Sequence, residues 1–182
     1  MKTQKMVLSA FFLAMALALP FLTGQIPQIG SMLSPMHIPV LLCGFICGWP
    51  AGLSVGFIAP LLRFMLFGMP PIFPTGVAMA FELAAYGAIS GVVFSKAKYS
   101  IPMVYATLIS AMIGGRFVWG TVRFLMAKLF GINFTLSMFI SGAFISALPG
   151  IILQLILIPL IVAAVERQKP VQLDRPKEAR VK

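Results

Sequence analysis

The sequence predicts an all-α integral membrane protein, a bundle of six transmembrane helices with both termini on the cytoplasmic side. Three observations carry that expectation. Of the 182 residues, 60% are hydrophobic and 10% charged, with a mean hydropathy of +1.01, whereas a soluble domain carries roughly 25% charged residues. The apolar residues fall into six stretches separated by breaks rich in Gly, Pro or Lys. All fourteen Lys and Arg residues except Arg63, Arg116, Arg123 and Lys128 lie at Lys2, Lys5, Lys96 and Lys98 or beyond Val165, where a membrane protein displays its cytoplasmic charge. That distribution, and not the net charge of +10, sets the class of partner: a lipid bilayer and no nucleic acid.

The first span covers about residues 6–23, after two lysines. A cleaved signal peptide is the rival reading, but the rest of the chain is itself polytopic and needs none. Ala10, Ala14 and Ala18 recur every four residues and form a stripe that lets another helix approach closely. GQIPQIGSMLSPMHIP follows as a long, uncharged external loop. Two short helices come next, about 36–48 and 51–67, with a turn at Trp49-Pro50 and a kink at Pro60. One long helix is the competing reading; it would leave the proline and glycines inside and invert the topology.

GMPPIFP is a tight loop, and the fourth span covers about 75–95 with Thr75 as N-cap. SKAKYS is a charged turn. The fifth span starts at Ile101 and runs some thirty residues, beyond the roughly 20 that cross a bilayer, so its end emerges into water. After GINF a sixth span carries Pro149 and Pro159, where bends are expected. Residues 1–168 thus make one membrane domain, and 169–182 a basic, disordered cytoplasmic tail. Six crossings put Lys2, Lys96 and Lys182 on one side; five would separate them.

Charge inside such a bundle is costly and marks function by default. On this topology Arg63 lies about 6 Å and Glu82 about 10 Å below the outer ends of their spans, and Arg116 about 25 Å above the inner surface. Three ionisable groups from three helices therefore share the outer third, with Arg123 two turns above Arg116 on the same face and Lys128 at the mouth. One acid cannot neutralise four cations. The surplus points to an outer pocket for an anionic or carboxylate-bearing solute, since Arg offers bidentate geometry. His37 enters the second span at the same level. Trp119, Phe73, Phe134 and Tyr86 are aromatic groups that such a solute meets or that serve as packing. Trp49 reads as an interfacial anchor.

Other chemistry is poorly provided for. Cys43 and Cys47 sit four apart in an apolar run and read as packing residues; with His37 the single histidine, no metal site is expected and no cofactor is implied. There is no GxxxxGK[ST] phosphate loop and no HExxH.

With those features in place, the chain resembles the membrane-embedded substrate-binding subunit, or S component, of energy-coupling factor (ECF) transporters, over about residues 1–168. The stretches MHIPVLLCGFICG and FGMPPIFPTGVAMAFELAAYGAISG carry the resemblance. So do the size, the six spans, the long first loop and the short proline-bearing third loop. AFFLA, Ala10 to Ala14, is similar to the family's AxxxA motif on the first helix.

The resemblance implies vitamin capture from outside a bacterial cell membrane. It also implies docking by the alanine face, Ala10, Ala14 and Ala18, on a transmembrane coupling subunit (T component) that carries two ATPase subunits. Hydrolysis of ATP would belong to those partners, so the chain is expected not to be an enzyme. Arg63, Glu82, Arg116, His37, Trp119, Arg123 and Phe73 are the substrate-binding candidates. The cationic pocket favours pantothenate, then folate; riboflavin, pyridoxine and queuosine precursors stay open. Two rivals belong to other classes. A membrane scaffold requires the outer charges to pair among themselves and leave no cavity. An intramembrane enzyme requires Glu82 and His37 to approach each other.

Overall fold

The computed structural model describes residues 2–23, 32–96 and 98–167. The tail at 169–182 and most of the first loop lie outside them. Among the described residues every regular element is helical. Helix α1 (Lys2–Ala18) runs on through a 3-10 turn, Leu19–Thr23. Then come α2 (His37–Cys47), α3 (Trp49–Phe67), α4 (Val77–Ser95), α5 (Ile101–Phe130), α6 (Leu136–Ile140) and α7 (Leu148–Arg167). A π-helical turn, Ser141–Ile145, joins α6 to α7.

Five segments are long and apolar enough to cross a membrane: Thr3–Leu22, Trp49–Phe67, Ile72–Ser95, Ile101–Phe130 and Leu136–Arg167. The expected second span is shorter. Helix α2 has 11 residues and rises about 16 Å, half of a hydrocarbon core of about 30 Å. Every residue of it is buried, because α1, α3, α4 and α7 surround it. Cys43 and Cys47 are buried within that packing and are not joined in a disulfide.

Two helices, not one, occupy 37–67. Gly48 separates them with φ 93° and ψ 172°, a left-handed φ that suits glycine. The chain then doubles back so tightly that a Cβ on Gly52 would lie 2.8 Å from the Gly44 Cα and 2.5 Å from the Gly87 carbonyl oxygen. A Cβ on Gly56 would overlap the Leu83 carbonyl, and one on Gly87 the Gly52 carbonyl. Gly44, Gly52 and Gly56 on the hairpin and Gly87 and Gly91 on α4 thus bring three backbones into contact, as small residues do between membrane helices.

Other boundaries follow local chemistry. Ser100 caps α5 by accepting from Met103 N–H at 3.3 Å, and Gly131, at φ 66°, ends it. Thr135 caps α6 by accepting from Met138 N–H. Thr75 does not cap the fourth span as expected. It lies in the turn Ile72–Gly76, closed by Gly76 N–H donating to the Pro71 carbonyl at 2.8 Å, so α4 starts two residues later without a side-chain cap. Pro60 and Pro159 lie inside α3 and α7, while Pro149 is the second residue of α7 rather than a bend within it. The described end of the first loop rests on α7: a Cβ on Gly150 would meet the Met32 carbonyl oxygen at 2.6 Å.

The backbone contact at Gly87 leaves no room for a methyl group. Gly87→Ala is expected to destabilise the protein by about 1–3 kcal/mol through overpacking, read as a lower midpoint of thermal unfolding in detergent. Unchanged stability would mean that α3 and α4 separate at no cost.

Candidate functional site

The contacts of Gly56 with Leu83 and of Gly52 with Gly87 set the register of the antiparallel pair α3–α4. By that register Glu82 lies opposite Phe57, and Arg63 opposite Gly76. Arg63 therefore sits six residues, about 9 Å, from the level of Glu82, toward the C-terminal end of α3. Its side chain is buried but turned the other way. Nη1 donates to the Leu17 carbonyl of α1 at 2.5 Å, and the guanidinium lies 5.1 Å and 5.4 Å from the Phe21 and Phe67 ring centroids. The expected meeting of Arg63 with Glu82 and Arg116 does not occur, because Arg63 occupies the α1-facing side of α3. It ties the first helix to the bundle by satisfying a carbonyl near that helix's end.

Glu82, Arg116 and His37 do come together. Gly114 and Gly115 leave room on α5 for the side chains of Ile89 and Tyr86 from α4. That close approach lets Arg116 Nη1 donate to Glu82 Oε1 at 2.8 Å, with Glu82 only 2% exposed. His37, 3% exposed at the start of α2, places Nε2 3.5 Å from the same oxygen and sets its ring edge-on to Tyr86 at 4.9 Å. The opposite formal charges of Glu82 and Arg116 cancel. Both His37 nitrogens and Arg116 Nε are buried without a hydrogen-bond partner among the described residues.

A second arrangement lies two turns further along α5. Arg123 holds its guanidinium 4.9 Å from the Phe134 ring centroid and 6.0 Å from that of Trp119. Its Nε is buried and unpartnered, and no acid pairs with it among the described residues. Trp119 meets Phe134 edge-on at 5.6 Å and stacks on Phe139 at 6.1 Å. Phe139 in turn fills the space beside Gly120. Between this aromatic cage and the segment 137–146 opens a groove of about 490 Å³, lined by Trp119, Arg123, Phe134, Ser137, Ser141 and Ser146 among others.

Phe73 is not part of that lining; 43% exposed, it packs edge-on against Phe130 at 5.0 Å, so the third loop leans on the end of α5. Lys128 is exposed in the last turn of α5, where a cation complements the helix dipole. Ala10, Ala14 and Ala18 are all exposed, whereas Phe12 and Ala16 between them are buried. The alanine stripe thus faces away from the bundle.

The sequence reading missed the three serines. Their spacing, four then five, hides them, because in a regular α-helix the fifth residue lies about 140° round from the first. Among the described residues no group of three His, Cys, Asp or Glu side chains is placed to hold a metal ion.

The family of ECF transporter substrate-specific components matches residues 4–162. The chain belongs to that family. No curated protein and no solved structure matches it significantly. Membership makes this a multi-pass membrane protein and the substrate-specific subunit of a transporter, not an enzyme. It implies a small-molecule substrate, a T component and ATPases as partners. The approach of His37 to Glu82 is the geometry that the enzyme rival requires, but Arg116 holds that carboxylate in an ion pair. The scaffold rival requires charges that all pair, and Arg123 stands outside any pair among the described residues.

Removing one partner of a buried ion pair strands the other charge and costs about 3–5 kcal/mol. Glu82→Gln is expected to lower stability on that scale, and Glu82→Gln with Arg116→Met to recover most of it. Thermal unfolding of the single and double variants forms the cycle that measures this coupling. A double variant no better than the single one would show that the pair is not the stabilising unit.

Proposed function

We propose that this S component captures a vitamin-like, carboxylate-bearing solute from outside a bacterial cell at the outer end of α5. In this reading the bundle crosses the membrane six times. The short, buried α2 stands for the second crossing, and both termini are cytoplasmic. The observation that carries the reading is Arg123, without an acidic partner among the described residues and facing a groove of about 490 Å³, within the range of small-molecule sites. A cation in that setting favours an anionic ligand. Pantothenate is the first candidate and folate the second.

The other residues take graded roles. Trp119 and Phe134 wall the site. Arg116, His37 and Glu82 do not line the groove; they lie buried two turns below it, where Arg116 Nε and the His37 nitrogens are the polar groups a solute reaching deeper would meet. Phe73 closes the rim from the third loop. Arg63 acts at a distance, by holding α1 against the bundle. The exposed face of Ala10, Ala14 and Ala18 docks on the T component, which carries two ATPase subunits.

Two outcomes test this. With six crossings, a cysteine replacing Pro71 labels only from outside the cell and one replacing Lys96 only from inside; labelling of position 71 from the cytoplasm overturns the topology. Ala14→Trp is expected to leave solute binding intact and abolish ATP-driven uptake, because bulk on a small-residue face blocks close helix approach. Normal uptake and normal co-purification with the coupling subunits would place docking elsewhere.

A further inference from the structure

The groove over Arg123 has a chemistry more specific than positive charge. In α6 and the turn after it, Ser137 and Ser141 are four residues apart and share a face. The next serine on that side is Ser146, five residues on, which a regular α-helix would carry round to a different face. The π-helical turn Ser141–Ile145 corrects this. Ser146 N–H donates to the Ser141 carbonyl at 2.8 Å, an i to i+5 bond whose extra residue returns Ser146 to the same side. All three serines consequently line the groove.

Their hydroxyls are also free. Elsewhere in this bundle such groups bond back to their own helix: Ser54 to the Pro50 carbonyl at 2.8 Å, Ser110 to Ala106 at 2.7 Å, Thr121 to Phe117 at 2.9 Å. Serine in a membrane helix does this readily. Among the described residues Ser137, Ser141 and Ser146 make no such bond; all three are exposed and line the groove. At the end of the row stands Arg123, with no acid among the described residues and its buried Nε unpartnered.

The aromatic surfaces beside it are already occupied. The Arg123 guanidinium covers Phe134, and Trp119 has Phe139 stacked on it, the Phe134 edge against it and Gly142 pressed close. A Cβ on Gly142 would lie 3.0 Å from the Trp119 ring. The face that Phe134 turns to Arg123 and the face that Trp119 turns to Phe139 are therefore taken, which disfavours stacking of an incoming flat ring there.

We propose that this groove takes an acyclic carboxylic acid bearing hydroxyl or amide groups, with the carboxylate on Arg123 and the neutral polar groups along Ser137, Ser141 and Ser146. The assignment rests on the transport reading above and narrows its substrate to acids without an aromatic ring. The serine row supplies donors and acceptors at helical spacing, so it discriminates against acids of similar charge that lack matching polar groups.

The experiment uses the full-length protein purified in mild detergent. Native mass spectrometry first identifies any molecule retained from the cell. Calorimetric titration follows, with pantothenate as the probe of the proposed class (hydroxyls, an amide and a carboxylate, no ring) and folate and riboflavin as ring-bearing probes. Retention of a ringless hydroxy or amide acid, or binding of pantothenate over the ring-bearing probes, supports the assignment. Each single change Ser137→Ala, Ser141→Ala or Ser146→Ala is expected to weaken that binding about three- to tenfold, and Arg123→Ala about 10- to 150-fold. Circular dichroism confirms that each variant keeps its helical fold.

Retention or tight binding of a ring-bearing or uncharged vitamin overturns the substrate class while leaving the transport reading intact. Wild-type affinity in the triple serine variant overturns the serine row in the same way. Failure of every vitamin to bind, with no uptake when the coupling subunits are supplied, overturns both.

Discussion

The rest of the bundle depends on a backbone contact without side chains. Where α2, α3 and α4 cross, Gly44, Gly52 and Gly87 put peptide groups against one another at distances that a single methyl would forbid. In lipid there is no hydrophobic force between helices, so close van der Waals packing of this kind has to supply their association. It also buries the whole of the 11-residue α2, a helix too short to hold a place in a bilayer alone. The same contact fixes the register of α3 on α4, and the register decides which charges can meet.

That register divides the buried cations into three different environments. Arg63 is displaced toward the C-terminal end of α3 and turned to α1, where a carbonyl and two rings accommodate it. Arg116 is level with Glu82 and is neutralised by it. Arg123 rises beyond the carboxylate and keeps its charge, sheltered by aromatic rings. A charge that is sheltered yet unpaired is the arrangement least explained by stability alone, since desolvation without a partner is unfavourable. In the proposed reading it receives the negative end of the solute.

In the proposed reading, solute capture and partner docking fall on different elements of the fold. The groove is built from α5 and the α6–α7 segment, while the exposed alanines belong to α1. Between them stand α2, α3 and α4, held by the glycine contacts. A rigid centre of this kind lets solute capture and partner docking act through one body rather than through a deformable one.

The sequence by itself determined the class: composition required a membrane protein, the spacing of apolar runs marked the helices, and the quoted stretches carried the family. It also singled out Glu82, Arg116, Arg123 and His37, because charge and imidazole in an apolar chain are conspicuous wherever they point. It did not determine which of them touch. Arg63 and Arg116 look equivalent in one dimension, and only the helix rotations and the glycine-set register separate a tether to α1 from a partner of Glu82. The serine row was decided by tertiary structure for a sharper reason: a single π-helical turn changes the angular period within α6–α7. Residues that regular helical spacing would scatter then line one groove.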